Sequence, residues 1–168
     1  MCRINYKVVQ SGDRWVSIPT NGVNDMFIGE YAHSIDSKGR LNMPSRFREK
    51  LSETFFVTKG LDHCLFVFPE NEWRIFEDKL KQLPLTNKNA RAFVRLFFAG
   101  ASECTLDKQG RINIPQPLRT HALLEKDVIV IGVGTRIELW STDQWEQYNN
   151  PDNISYDDIA EQMAELGI

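Results

Sequence analysis

Two stretches carry the residues best suited to chemistry: DSKGRLNMPSRFR at Asp36–Arg48 and DKQGRINIPQPLR at Asp107–Arg119. Both follow D-x-x-G-R-φ-N-φ-P-x-x-φ-R, with φ apolar, and they stand 71 residues apart. A pair of carboxylates such as Asp36 and Asp107 could in principle divide general acid and base work. Each, however, travels with an arginine four residues on, Arg40 or Arg111, across a glycine. The simplest task is therefore local: the carboxylate accepts turn N–H groups or holds the guanidinium in place. No nucleophile–histidine pair accompanies either copy, since His33 aligns with Cys104 and His121 has no histidine counterpart. The chain also lacks an H-E-x-x-H, a nucleophile elbow and a phosphate-binding G-x-x-x-x-G-K. Gly132-Val133-Gly134 alone does not make a nucleotide site. The expectation is a protein that is not an enzyme, with no cofactor, no metal and no small-molecule substrate.

Binding suits the motif better. Each copy puts a lysine and an arginine on one turn, Lys38 with Arg40 and Lys108 with Arg111, and Arg46, Arg48 and Arg119 follow. A twice-repeated basic turn matches a ligand of repeating geometry, and DNA has that geometry. Arginine bridges phosphate oxygens or guanine O6 and N7 bidentately, while lysine supplies charge and counterion release. The opposing reading buries Arg40 and Arg111 in salt bridges to Asp36 and Asp107. The residues alone leave both roles open.

The elements that must position these turns also repeat. The alternation Tyr31–Ile35, and Glu103–Leu106 in the second copy, predicts a half-buried strand before each turn. Gly39 and Gly110 supply the positive φ that a tight turn requires. Leu41-Asn42-Met43 and Ile112-Asn113-Ile114 read as short strands, ended by Pro44 and Pro115, which open short helices. Phe47 with Leu51, and Leu118 with Ala122, give those helices an apolar face. A hairpin follows in each half, FFV to LFVF around Lys59–Asp62 and VIVI to IELW around Gly132–Thr135. Trp73, Phe76, Leu80 and Leu83 lie at helical spacing in the closing helix of the first half. Between the halves, Ala90, Phe93, Val94 and Phe97 form an apolar face, with Phe93 and Phe97 expected in the core, opposite a Lys88, Arg91, Arg95 stripe. One half has too few strands to cover a sheet. Two halves interleaved about a pseudo-two-fold axis remove exposed edges.

The chain as a whole permits this. Its 168 residues are 42% hydrophobic and 26% charged, an ordinary composition for a globular protein. Cys2, Cys64 and Cys104 are odd in number and lack metal-ligand spacing, so a reducing cytosol is expected. No apolar run approaches a membrane span. The net charge of −3 hides an asymmetry. Residues 143–168 hold seven acids and no Lys or Arg, whereas residues 26–142 hold 17 basic against 14 acidic residues, a net of +3. That body is only mildly basic, but the distribution of charge governs attraction to a polyanion more than its sum.

From MFIGEYAHSIDSKGRLNMPSRFRE through ARAFVRLFFAGASECTLDKQGRINIPQPLR to IELWSTDQWE, the chain resembles the MraZ family of bacterial transcriptional regulators, related to AbrB-like swapped-hairpin DNA-binding proteins. The resemblance covers nearly everything from Met26 to about Tyr148 and includes both D-x-x-x-R signatures. It implies an α/β fold, a pseudo-two-fold swapped-hairpin or double-split β-barrel built from two tandem repeats with flanking helices. It further implies a ring-like homo-oligomer that binds G-rich repeats in its own promoter, ahead of the division and cell-wall gene cluster, in the cytoplasm and associated with the nucleoid. The DNA-binding candidates are Lys38, Arg40, Lys108, Arg111, Arg46 and Arg48. Asp36, Gly39, Asp107 and Gly110 are the structural members. The alternative is an oligomeric, antitoxin-like protein-interaction module without direct DNA contact. The expected divisions are an extension at 1–25, repeats at 26–101 and 102–150, and an acidic tail or helix at 151–168. The extension lies outside the repeat, is broken by turn formers, and reads as a flexible arm or as upstream sequence translated from an early start. Trp15-Val16 requires TGG followed by GT, and the resemblance implies G-rich repeats just upstream of the family's start, so the second of these readings makes residues 1–25 translated operator DNA.

Overall fold

The computed structural model describes residues 6–11, 14–19, 26–152 and 154–166. Their backbone forms a mixed α/β structure in which every named strand pairing is antiparallel. Strands β1 (Tyr6–Ser11) and β2 (Arg14–Pro19) pair as a local hairpin. The turn-rich reading of the first 25 residues gave no regular element there, and part of that segment lies outside the described residues.

The first repeat runs β3 (Phe27–Ser34), β4 (Arg40–Asn42), α1 (Ser45–Arg48), β5 (Thr54–Lys59), β6 (Leu65–Pro69) and α2 (Glu70–Lys81). After α3 (Lys88–Gly100), the second runs β7 (Ser102–Thr105), β8 (Arg111–Asn113), α4 (Gln116–His121), β9 (Asp127–Gly134), β10 (Arg136–Ser141) and α5 (Thr142–Tyr148). A last helix, α6 (Tyr156–Glu165), follows. Ser155 caps α6 by accepting from the Asp158 N–H, and Asp157 and Asp158 favour its positive N-terminal end.

Six strands form one sheet in the order β3-β9-β10-β6-β5-β7, and β4 and β8 form a separate two-stranded ribbon. Replacing each strand by its counterpart in the other repeat reverses that order into itself. The first strand of each repeat therefore lies on the third strand of the other: β3 on β9, and β7 on β5. The pseudo-two-fold axis passes through two cross-repeat pairs, Phe66 opposite Glu138 in the large sheet and Leu41 opposite Ile112 in the ribbon. Among the described residues this pairing is a six-stranded sheet plus a ribbon.

The turn of the second hairpin sits later than expected. β9 continues through Gly132 and Val133, and the chain reverses at Gly134, whose φ is +66°. Gly132 serves a different purpose, since a Cβ there would collide with the backbone of Phe27 and Ile28 on the neighbouring strand. Accordingly Val130 is the counterpart of Val57, as their partners Leu139 and Val67 show.

Two cores result. One draws on both repeats, with Phe27, Leu41, Met43, Phe47, Phe55, Ile112, Ile114 and Leu118 almost fully buried. Phe27 and Tyr31 meet the Phe47 ring edge-on at 5.4 and 5.2 Å. The other is an aromatic cluster in which Phe56, Phe66, Phe68, Trp73, Phe76 and Phe97 bind α2 and α3 to the opposite face of the sheet. Phe97 is buried as expected, but Phe93 is 39% exposed. Lying one turn earlier, at the outer rim of α3, Phe93 touches the cluster through the Phe97 edge at 4.8 Å. In the basic stripe, Arg91 donates to the carbonyls of Leu85 and Thr86 and so fastens the loop before α3, while Lys88 and Arg95 are exposed.

Candidate functional site

The two D-x-x-G-R turns fold alike, and the local sequence explains why. In turn 1, Asp36 Oδ1 accepts from the backbone N–H of Lys38 at 2.9 Å and of Arg40 at 3.0 Å. Its Oδ2 takes Arg40 Nε at 2.7 Å and Nη2 at 2.6 Å. In turn 2, Asp107 makes the same four contacts, to Gln109 N, Arg111 N, Arg111 Nε and Arg111 Nη2, at 2.9, 3.0, 2.8 and 2.7 Å. The carboxylate thus accepts turn amides and holds the guanidinium at once. The residue after each lysine or glutamine must turn left-handed, and Gly39 (φ +80°) and Gly110 (φ +74°) do so.

These bonds set the charge state. The Arg40 side chain, then the turn amides, hold the Asp36 carboxyl down at about 2. Arg111 and the turn amides of its own loop lower Asp107 in the same way. Partly exposed ion pairs of this kind contribute little to stability. Their effect is geometric: the carboxylate occupies Nε and Nη2 of each arginine and leaves Nη1 outside the ion pair, with side chains 32% (Arg40) and 24% (Arg111) exposed.

The ribbon brings the turns together. Arg40 lies opposite Asn113 and Asn42 opposite Arg111, while Leu41 and Ile112 between them point inward and are fully buried. One outward face therefore carries two arginines and two asparagines in a two-fold array. Clefts flank it. Ser34, Asp36, Arg40, Asn42 and Arg111 line one of about 580 Å³, together with His33 and Asp127. Lys38, Arg40, Thr105, Asp107, Arg111 and Asn113 line the other, of about 420 Å³. The arginines border both clefts.

The sequence motif named these arginines, but Asn42 and Asn113 were read only as part of a strand. The signal was present, because strict alternation in Arg-φ-Asn puts arginine and asparagine on one face. The lysines differ between turns: Gln109 occupies the place of Lys38, and Lys108 stands one residue earlier. Both lysines are exposed. Arg46 is exposed on α1, away from the ribbon strands in sequence, and Arg48 at the end of α1 packs its guanidinium against Gly110 of turn 2. His33, at the rim of the larger cleft, has its pKa lowered by burial and then by the charge of Arg48.

Among the described residues, no group of three or more His, Cys, Asp or Glu side chains could hold a metal ion. Cys64 and Cys104 are free thiols, and burial raises both, Cys104 to about 11. No helix among the described residues is long and apolar enough to cross a membrane.

Fold and site together define a tandem-repeat protein whose halves interlock to present one turn motif twice on a single face. A family model described as "MraZ protein, putative antitoxin-like" matches residues 26–96 and again 97–166. The chain belongs to the MraZ family. It is 70% identical over 143 residues to a protein of Alkaliphilus metalliredigens named "Transcriptional regulator MraZ", covering 85% of this chain and 100% of that one. Proteins of the same name from Clostridium tetani and Heliobacterium modesticaldum are 62% and 56% identical with the same coverage.

Proposed function

We propose that this protein is a transcriptional regulator that binds DNA through the ribbon face, with Lys38, Arg40, Lys108 and Arg111 as principal contacts and Arg46 and Arg48 at its border. The observation that carries this reading is the two-fold array of partly exposed arginines on the ribbon, each braced by an aspartate. A braced guanidinium loses little entropy on binding and is already aimed, which suits bidentate recognition. Arginine opposite a guanine and asparagine opposite an adenine give base readout, so Asn42 and Asn113 join the set. The lysines, free of such bracing, supply phosphate charge.

The target is the chain's own promoter, with its G-rich repeats, ahead of division and cell-wall genes, and the binding species is a ring-like homo-oligomer that offers several such faces to repeated DNA elements. In the same reading, the ribbon closes the six-stranded sheet into a swapped-hairpin, double-split barrel. The isolated bridge between Ile35 and Leu41 supports this by tying β4 to the end of β3. The protein acts in the cytoplasm at the nucleoid, without catalysis.

A gel shift on duplex DNA from upstream of the gene tests the reading. Arg40→Ala and Arg111→Ala are each expected to weaken binding on the order of tenfold or more, as loss of one bidentate base contact does, with circular dichroism unchanged. The logarithm of the binding constant should fall with the logarithm of salt concentration, by a slope of about 0.9 per phosphate engaged. Collapse of the fold in either variant would make the arginines structural. A salt-independent response would favour the protein-interaction module.

A further inference from the structure

Each recognition turn is touched by an arginine from the other repeat. A Cβ placed on Gly39 would stand 2.9 Å from Cζ and 3.1 Å from Nε of Arg119, a residue of α4 in the second repeat. One placed on Gly110 would stand 2.8 Å from Cζ of Arg48, a residue of α1 in the first repeat. Both side chains therefore pack closely against a glycine, where any added side chain would displace them. The backbone repeats the crossing: the Gly39 carbonyl accepts from Ile114 N–H at 2.9 Å, and the Gly110 carbonyl accepts from Met43 N–H at 3.1 Å. Arg119 Nε is buried and makes no hydrogen bond among the described residues. No hydrogen bond from Nε orients this side chain, so its placement rests on packing against the turn, which must offset the cost of the unsatisfied N–H.

We propose that Arg119 and Arg48 are crossed positioning residues: Arg119 fixes turn 1 and Arg48 fixes turn 2, so each repeat sets the other's DNA contacts. The proposal rests on the DNA-binding reading above. Arg119 acts through Gly39 on Lys38 and Arg40 without touching the ligand itself. Lysine should not replace it, because its ammonium lacks the broad planar group whose Cζ, Nε and Nη2 all pack beside Gly39.

The crossing gives a test that a plain structural role or an independent phosphate contact fails. In a double-mutant cycle on the operator duplex, Arg119→Ala should cost roughly tenfold in affinity and add little to Arg40→Ala, yet add in full to Arg111→Ala. Arg48→Ala should show the reverse. Arg119→Lys should behave like Arg119→Ala and, if the alanine variant does not fold, it carries the cycle. Full additivity with Arg40→Ala, or rescue by lysine, would overturn the proposal. Hydrogen exchange on the DNA-free protein reads the crossing independently: Arg119→Lys should speed exchange of the Lys38–Arg40 amides and spare Gln109–Arg111. Uniform or absent acceleration refutes the crossing even if no DNA is bound. Selective acceleration without DNA binding leaves the crossing standing and removes the function assigned to it.

Discussion

Turn 1 and turn 2 share every hydrogen bond and differ in what they display. Backbone and brace are set by Asp, Gly and Arg, which occupy the same positions in both. The lysine has no part in the brace and has moved by one residue. Geometry is thus tied to the residues that bond within the loop, whereas the charge presented to a partner is free to vary. The second difference lies beneath the turns. Arg48 closes on Gly110 more tightly than Arg119 closes on Gly39, with Arg48 Cδ at 2.5 Å from a notional Cβ.

Alanine at the glycines should produce the largest effect. Gly110→Ala forces a side chain into left-handed backbone and against Arg48, and should cost about 1–3 kcal/mol of stability in chemical denaturation. Gly39→Ala should cost less, because Arg119 leaves more room. Equal costs would show that φ alone matters and that the arginines yield freely.

Transposing the lysine comes next. Ser37→Lys with Lys38→Gln gives turn 1 the display of turn 2 without altering the brace. Overall affinity should stay within about threefold, since one phosphate contact replaces another. Footprints on the two DNA elements under the turns should become alike. If they stay unlike, the inequality lies in the scaffold rather than the lysines.

Acidification should produce the smallest change. The Asp36 carboxyl titrates at about 2 when folded against 3.8 in a free chain, and Asp107 is lowered as well. A depressed carboxyl stabilises the fold above its unfolded value and loses that contribution as pH falls through the folded one. Thermal melts should therefore hold steady down to about pH 4 and decline toward pH 2. Asp36→Asn should remove part of that dependence, and Asp107→Asn a smaller part.

Much of this was legible in the residues. The motif marked both turns, Pro44 and Pro115 marked the helix starts, and the apolar runs marked both hairpins. Those features are local, arising from φ preference, missing N–H groups and alternation within a few residues. The exchange of strands between repeats was expected only as interleaving, and the specific pairing of β3 with β9 depends on register across the whole chain. The crossed arginines were invisible for the same reason: Arg48 and Arg119 looked like two more basic residues near a basic loop. Gly132 lies in the strand and Gly134 in the turn, a distinction hidden in sequence because a glycine needed for close strand approach looks the same as one needed for positive φ. Phe93 lies on the rim and not in the core, a distinction hidden likewise because helical spacing shows a face but not where that face ends.

The reversed strand order also constrains how the chain comes off the ribosome. β3 is made early, yet its ladder partner β9 lies in the second repeat, Phe27 facing Gly134. Until that strand emerges, the nascent first repeat carries an unpaired β3 edge and a β6 strand still awaiting β10. Folding must therefore follow translation of nearly the whole chain, and closing such long loops is slow. A truncated product holding one complete repeat would be a target for chaperones and proteases rather than a half-active protein.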